Sequence, residues 1–345
     1  MRPTTRARRI LPPLLLVLAA TAGSARASFF ERVGNYAMPF DDLAPDVRSR
    51  ALGGAVVAVP SGPADVWWNP AALPTGHSLE VQYAPVDWII DSRLSTRAVA
   101  GEWRNLRLGI ARTALDFDAM IVRTAYDPEG TGETFDTGSC AWTFNAGADL
   151  APWLLPAHPR YNLAVGVSAR RLSTFIDTEK ASVWDMDLGL LAARRWQGRT
   201  AWWRLRAAAM VRNALGSEVD FSGLTSRLPR NLRLGLACEA GLEPQAGRRA
   251  PLQALLAYGR LQNLDGWHNN DSDHWGLEVT LFELLCPRLG YTDRFSGSSW
   301  SYGCGLQLAS PGALPVGLRL DYAREDWDLL GGWQNQWAVA LFGDL

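Results

Sequence analysis

Apolar side chains recur at every second position through segment after segment of residues 78–345. Tyr161, Leu163, Val165, Val167 and Ala169 alternate with Asn162, Ala164, Gly166, Ser168 and Arg170. Val316, Leu318, Leu320 and Tyr322 alternate with Gly317, Arg319 and Asp321 in the same way. A period of two gives a strand one apolar face and one small or polar face. β-Sandwiches and propellers alternate too, but soluble strands cluster near 5 to 6 residues. These segments run about 9 to 13, the length that crosses a bilayer on a tilt. No blade-length repeat points to a propeller. The polar faces mix Arg, Asp and Gly, which suits a narrow lumen holding water and paired charges. The expected fold is therefore all-β, a transmembrane antiparallel barrel. Its segments number about 14, an even count that closes with both ends on one side.

The organisation divides into three parts. Residues 1–27 carry Arg2, Arg6, Arg8 and Arg9, an apolar core from Ile10 to about Ala22, and Ala25-Arg26-Ala27, the pattern of a cleaved signal peptide. Residues 28–77 have no sustained strand or helix period and are expected to form a hatch inside the barrel of 78–345 or at its periplasmic mouth. Within them Gly53 and Gly54 permit close backbone approach, Asn69-Pro70 restricts the chain, and Trp67 and Trp68 require burial with their N–H groups satisfied.

The stretch from Arg50 to Leu73 resembles the N-terminal signature of outer-membrane barrels related to the fatty-acid transporter FadL and to the PorV/PorQ proteins. Those proteins read R-A-L-G-G-A, then A-V, then W-N-P-A-x-L. Here the matching residues are Arg50, Ala51, Leu52, Gly53, Gly54, Ala55, Ala58, Val59, Trp68, Asn69, Pro70, Ala71 and Leu73. Where the family usually has acids this chain has Ser61 and Gly62, with Asp65 three positions later. The resemblance implies a plugged barrel in the bacterial outer membrane that moves a hydrophobic small molecule such as a long-chain fatty acid, with lateral exit. A PorV-like dock that binds exported secretion-system proteins without conducting is the alternative, and a purely structural barrel is a third. Implied partners are outer-membrane lipid and the barrel assembly machinery; no nucleic acid is expected at a net charge of −1. Hatch and ligand-gating roles fall to Arg50, Gly53, Gly54, Asp65, Trp67, Trp68, Asn69 and Pro70.

Two further features are read from the strands. Asp185 and Asp187 share a face with Arg204 and Arg206 of the next strand and are expected to pair in the lumen. The stretch Leu106 to Tyr126 is about twice the length of its neighbours, and its apolar face changes parity at Leu115. Each change calls for an extra residue, near Ala111-Arg112 and from Asp116 to Ala119. A kinked third strand gates FadL-like transporters, so Asp116 and Asp118 are expected at a gate unless they form an ordinary turn.

Candidate chemistry is otherwise thin. His268, Asp271, Asp273 and His274 cluster in one loop, and Glu129, Glu133 and Asp136 in another, but both read as solvated surface, so no metal and no cofactor is expected. No Ser/His/Asp arrangement is placed for catalysis, and an enzyme is not expected. Of the four cysteines, Cys140, Cys238 and Cys304 fall on the lipid-facing side, and only Cys286 with Cys304 is placed to pair across a hairpin.

Overall fold

The structure is a computed structural model that describes residues 37–72, 78–88, 92–156, 158, 160–244, 249–265, 271–294, 297–308, 316–327 and 332–343. The signal peptide, Leu73 and His268 lie outside these residues. Fourteen strands form a closed antiparallel barrel in which consecutive strands pair and the last returns to the first. They are β1 Leu79–Asp87, β2 Ser92–Trp103, β3 Leu106–Phe117, β4 Thr137–Asp149, β5 Tyr161–Ile176, β6 Glu179–Gln197 and β7 Ala201–Arg212. Then follow β8 Asn231–Leu242, β9 Leu252–Asn263, β10 Ser272–Leu281, β11 Leu285–Arg294, β12 Gly297–Leu308, β13 Val316–Trp327 and β14 Gly332–Gly343.

The alternation sorts the two faces as a membrane requires. Leu188, Leu190, Leu205, Leu236, Leu256 and Leu277 point outward and are exposed. Tyr258, Trp275, Tyr291 and Trp300 succeed one another across three ladders. Their rings meet at a tilt, 4.6 Å and 4.9 Å between centroids in the pairs Tyr258–Trp275 and Tyr291–Trp300. An apolar band with an aromatic belt is the surface of a transmembrane barrel. The apolar connector after β4 makes a short helical turn, Ala151–Leu154, with Trp153 and Leu154 exposed.

Two expectations are corrected. The strand register of β3 is unbroken against both neighbours, from Leu106 to Phe117 with β2 and from Leu106 to Asp116 with β4. There is no bulge at Ala111-Arg112. Leu115 simply points inward, where it packs with Phe40, Val86 and Leu94. An apolar residue on the inner face is stable because something apolar fills the lumen behind it. Phe117 ends the strand, and Met120–Ile121 pairs with Thr134–Phe135 in a separate hairpin, leaving Asp116 and Asp118 exposed at the rim. Between β5 and β6 the chain makes a tight turn, with Ile176 paired to Glu179. Cys286 and Cys304 point to opposite faces, because Cys304 lies opposite Pro287 and Cys286 opposite Gly305; all four cysteines are free.

Residues 37–72 fill the interior. They run through a 3-10 turn Pro39–Asp42, a helix α1 Val47–Ala51, an irregular apolar stretch, and 3-10 turns Pro63–Trp67 and Pro70–Ala72. The Asp46 carboxylate caps α1 by accepting Ser49 N–H at 2.8 Å. Leu52, Ala55, Val56, Val57, Ala58, Trp67 and Trp68 form a buried cluster with inward-facing Ala208, Ala237, Leu255 and Ala257 of the wall.

Glycines make room for this plug. Gly147, Gly166 and Gly189 pair side by side across β4, β5 and β6, as do Gly235 with Gly259 and Gly276 with Gly290. A methyl group at Gly166 or Gly189 would overlap Pro70 or Asn69, and one at Gly290 would overlap Gly53. At Gly235 and Gly276 it would lie 2.8 Å from the backbone of Ala58 and Leu52. Glycine weakens a strand, and its recurrence on one face marks a close approach of another backbone.

Gly189→Val is expected to force Asn69 and Pro70 off the wall, costing at least the ~1–3 kcal/mol typical of overpacking. The melting of heat-modifiable barrel on gels should show a clear loss, while Leu190→Val on the outward face should stay within about 0.5 kcal/mol.

Candidate functional site

The plug is held by charge at both ends. Near the long-loop end Asp41 pairs with Arg170 and, at 2.6 Å, with Arg212. Arg170 also meets Asp187 at 3.5 Å, and Asn213 accepts a hydrogen bond from Arg170 at 2.8 Å. Burial alone would raise the Asp41 carboxyl, but the two guanidinium groups outweigh it and hold it well below the usual carboxylate range. Near the short-turn end an alternating chain of ions links plug to wall. Arg48 of α1 binds Glu278 at 2.7 Å, Glu278 binds Arg288 at 2.5 Å, and Arg288 binds Asp321 at 2.6 Å. Asp321 then binds Arg319 at 3.0 Å, which binds Glu80 at 2.6 Å.

The expected lumen pairs are therefore half right. Asp185, Asp187, Arg204 and Arg206 all lie on the inner face, but they do not meet. The β6–β7 hairpin places Arg204 opposite Arg195 and ends its ladder at Leu188↔Val211, so the acids sit at the far end of the hairpin from the arginines. Asp185 accepts the N–H groups of Leu215 and Ser217 at 3.1 Å and 2.9 Å. Arg204 and Arg206 instead share Glu239, at 3.4 Å and 2.7 Å. Parity in the sequence found the face; the partners depend on cross-barrel register, which alternation does not encode.

The signature residues meet at the centre. Trp67 and Trp68 make an edge contact at 4.7 Å, and Trp67 Nε1 donates to Asp41 O at 3.1 Å. Arg212 and Arg233 lie over the Trp67 ring at 4.3 Å and 4.1 Å and both donate to Trp67 O. Gly53 O accepts Thr292 Oγ1 at 2.8 Å and lies 2.6 Å from His274 Nδ1. Gly53 and Gly54 have φ of 61° and 80°, a conformation that favours glycine. Asn69 Nδ2 donates to Val57 O and to Leu190 O of the wall, while its Oδ1 accepts Ala71 N–H. Arg50 donates to Ala44 O, pairs with Glu325 at 3.3 Å and lies over Trp88 at 5.0 Å. Asp273 and His274 face opposite ways, Asp273 outward to Arg260 and Tyr258, so the loop cluster does not converge.

Asp65 closes the turn at Ser61 and Gly62. Its Oδ2 accepts the N–H groups of Ser61 and Gly62, while Oδ1 is buried with no partner among the described residues. Burial, reinforced by the charge of Asp46, pushes its carboxyl up to about 8 against those hydrogen bonds and Arg48.

Two cavities flank the plug. The upper one, at the long-loop end, has about 330 Å³ and is walled by Trp67, Trp68, Trp88, Leu43 and Leu261, with Arg50, Asn231, Arg233 and His274 among its polar groups. Trp68 Nε1 is buried there with no hydrogen-bond partner among the described residues. The lower one, about 370 Å³, is lined by charged groups that include Arg48, Glu80, Glu239, Glu278 and Arg319.

The Asp65 proton gives a signed pH dependence. Between its ordinary value near 3.8 and about 8 the folded chain holds a proton that the unfolded chain releases, so this group lowers stability as pH rises through that window. Asp65→Asn should flatten that slope, and thermal unfolding of both proteins from pH 4 to 8 reads the difference.

No family model and no curated protein matches the chain. Among solved structures it is similar to the CymD monoaromatic hydrocarbon channel at 10% identity, covering 88% of this chain and 98% of that one with a TM-score of 0.51. It is also similar to the Ralstonia pickettii toluene transporter TbuX at 11% identity, over 88% and 99% of the two chains, with a TM-score of 0.49. At such identities the likeness is one of fold, a 14-stranded closed barrel.

Proposed function

We propose that the protein is a bacterial outer-membrane transporter that admits a small hydrophobic molecule from outside and holds it above the plug. The upper cavity carries this reading. Three tryptophans and two leucines contribute apolar surface, beside charged and polar groups that include Asp42, Arg50, Asn231, Arg233, Arg294 and Glu325. Its volume lies at the lower end of the range for small-molecule sites, roughly 300 to 1,000 Å³. At about 330 Å³ the cavity matches a single-ring molecule better than an entire long-chain fatty acid. CymD is a monoaromatic hydrocarbon channel, which makes toluene the first compound to test.

Uptake is favoured over protein docking by the loop between β7 and β8. It folds back on the plug: Arg227 O accepts Ala37 N–H at 3.0 Å, and Val219 and Leu228 pack with Met38 and Phe40. That loop caps the lumen and is spent on an internal contact.

Purified barrel in lipid vesicles is expected to bind toluene with quenching of tryptophan emission. Trp68→Ala should weaken binding about tenfold, or ~1.4 kcal/mol. No saturable binding of toluene or of a fatty acid, together with co-purification of an exported protein, would overturn this function in favour of the dock.

A further inference from the structure

The barrel closes between β1 and β14, and that closure is incomplete. Their ladder runs from Leu79↔Gly343 to Tyr83↔Val339 and stops. Both strands continue beyond it, β1 paired with β2 as far as Asp87↔Arg93 and β14 paired with β13 as far as Gly332. Carrying the register forward sets Ala84–Asp87 against Asn335–Ala338, yet no ladder pair joins them.

Pro85 accounts for the stop. Ser78 O accepts Glu102 N–H at 3.1 Å and Trp88 N–H donates to Ser92 O at 2.7 Å, so even-numbered residues of β1 turn their backbone groups to β2. Odd-numbered residues therefore turn to β14, and the odd residue after Tyr83 is Pro85, which has no N–H to give. The barrel contains its own control. Leu284 O accepts Gln307 N–H, which turns the odd residues of β11 toward β10, and the β10–β11 ladder skips Pro287 before resuming at Leu281↔Leu285. At the β1–β14 seam it does not resume.

Side chains behind the seam are small and incompletely satisfied. Ala84, Ala323 and Ala338 pack on Val47 and Ala51 of the plug. Gln336 points inward at 1% exposure, and its Nε2 and Oε1 have no hydrogen-bond partner among the described residues. The upper cavity abuts this place, for Arg50, Trp88 and Glu325 line it. Trp88 follows the last residue of β1, and Glu325 is in register with Gln334 of β14. Unpaired backbone is costly in a bilayer, and here it lies beside the upper cavity.

We propose that the β1–β14 seam is a side door through which a ligand held in the upper cavity passes between Ala84–Asp87 and Asn335–Ala338 into the lipid. The ligand's passage rests on the proposed transport function; the opening of the seam does not. Continuous ladders on both sides of β3 leave that strand no comparable opening.

The opening is tested with a lipid-phase thiol reagent, pyrenyl maleimide, on barrels in vesicles whose four native cysteines are replaced by serine. Gln336→Cys is compared with Ala340→Cys, an equally buried inward residue of β14 on the laddered side. Gln336→Cys should react about tenfold faster, as local opening exposes it, and adding Pro85→Val should bring the two rates together. Equal rates with Pro85 in place would overturn the door. Pro85→Val should also slow toluene uptake with the amount of barrel unchanged; a faster Gln336→Cys reaction with uptake unaffected by Pro85→Val would overturn the route while the opening stands. If the unaltered protein takes up no toluene, the transport function fails by itself, and the labelling ratio still decides the seam.

Discussion

Backbone meeting backbone at the glycine belt is the contact on which the rest depends. A barrel of this size leaves a lumen, and a plug with little regular structure cannot bury itself alone. Here the wall gives up side chains at Gly166, Gly189, Gly235, Gly276 and Gly290 so that Pro70, Asn69, Ala58, Leu52 and Gly53 can come within contact. Each removal weakens the strand that carries it, and the apolar burial of the plug offsets that loss. Once the centre is filled, inward-facing positions are no longer obliged to be polar, which is why Leu115, Ala208 and Leu255 are stable where they are.

The charges at the two ends follow from the same burial. Arg48, Arg288 and Arg319 alternate with Glu278, Asp321 and Glu80, so the chain of ions is neutral. Removing one partner from such a buried set typically costs about 3–5 kcal/mol because the other is left uncompensated. Register is the gain. Arg48 fixes one end of the plug, and Asp41, between Arg170 and Arg212, fixes the other. The tryptophan-walled cavity above the plug is the space left between these two clamps and the loop end of the wall.

Alternation made the strands, their faces and their number legible, because period two survives any register. The plug was legible from Gly53-Gly54 and Trp68-Asn69-Pro70, whereas the wall glycines that receive it emerge only from the strand register. Pairing partners were not legible. Asp187 finds Arg170 on one neighbouring strand, where sequence spacing had suggested Arg204 and Arg206 on the other. The parity change at Leu115 was visible, but its cause was plug packing and not a bulge. Pro85 could have been read as a ladder break only after its backbone direction was known, and that came from the bonds at Ser78 and Trp88.

The filled lumen is tested most directly by ion conductance across a planar bilayer, comparing the intact protein with one lacking residues 28–77. An intact barrel with the plug seated among the wall glycines should show no lasting current steps, and the deletion should show stable open-pore steps. Sustained open-pore current from the intact protein, equal to that of the deletion, would contradict the account.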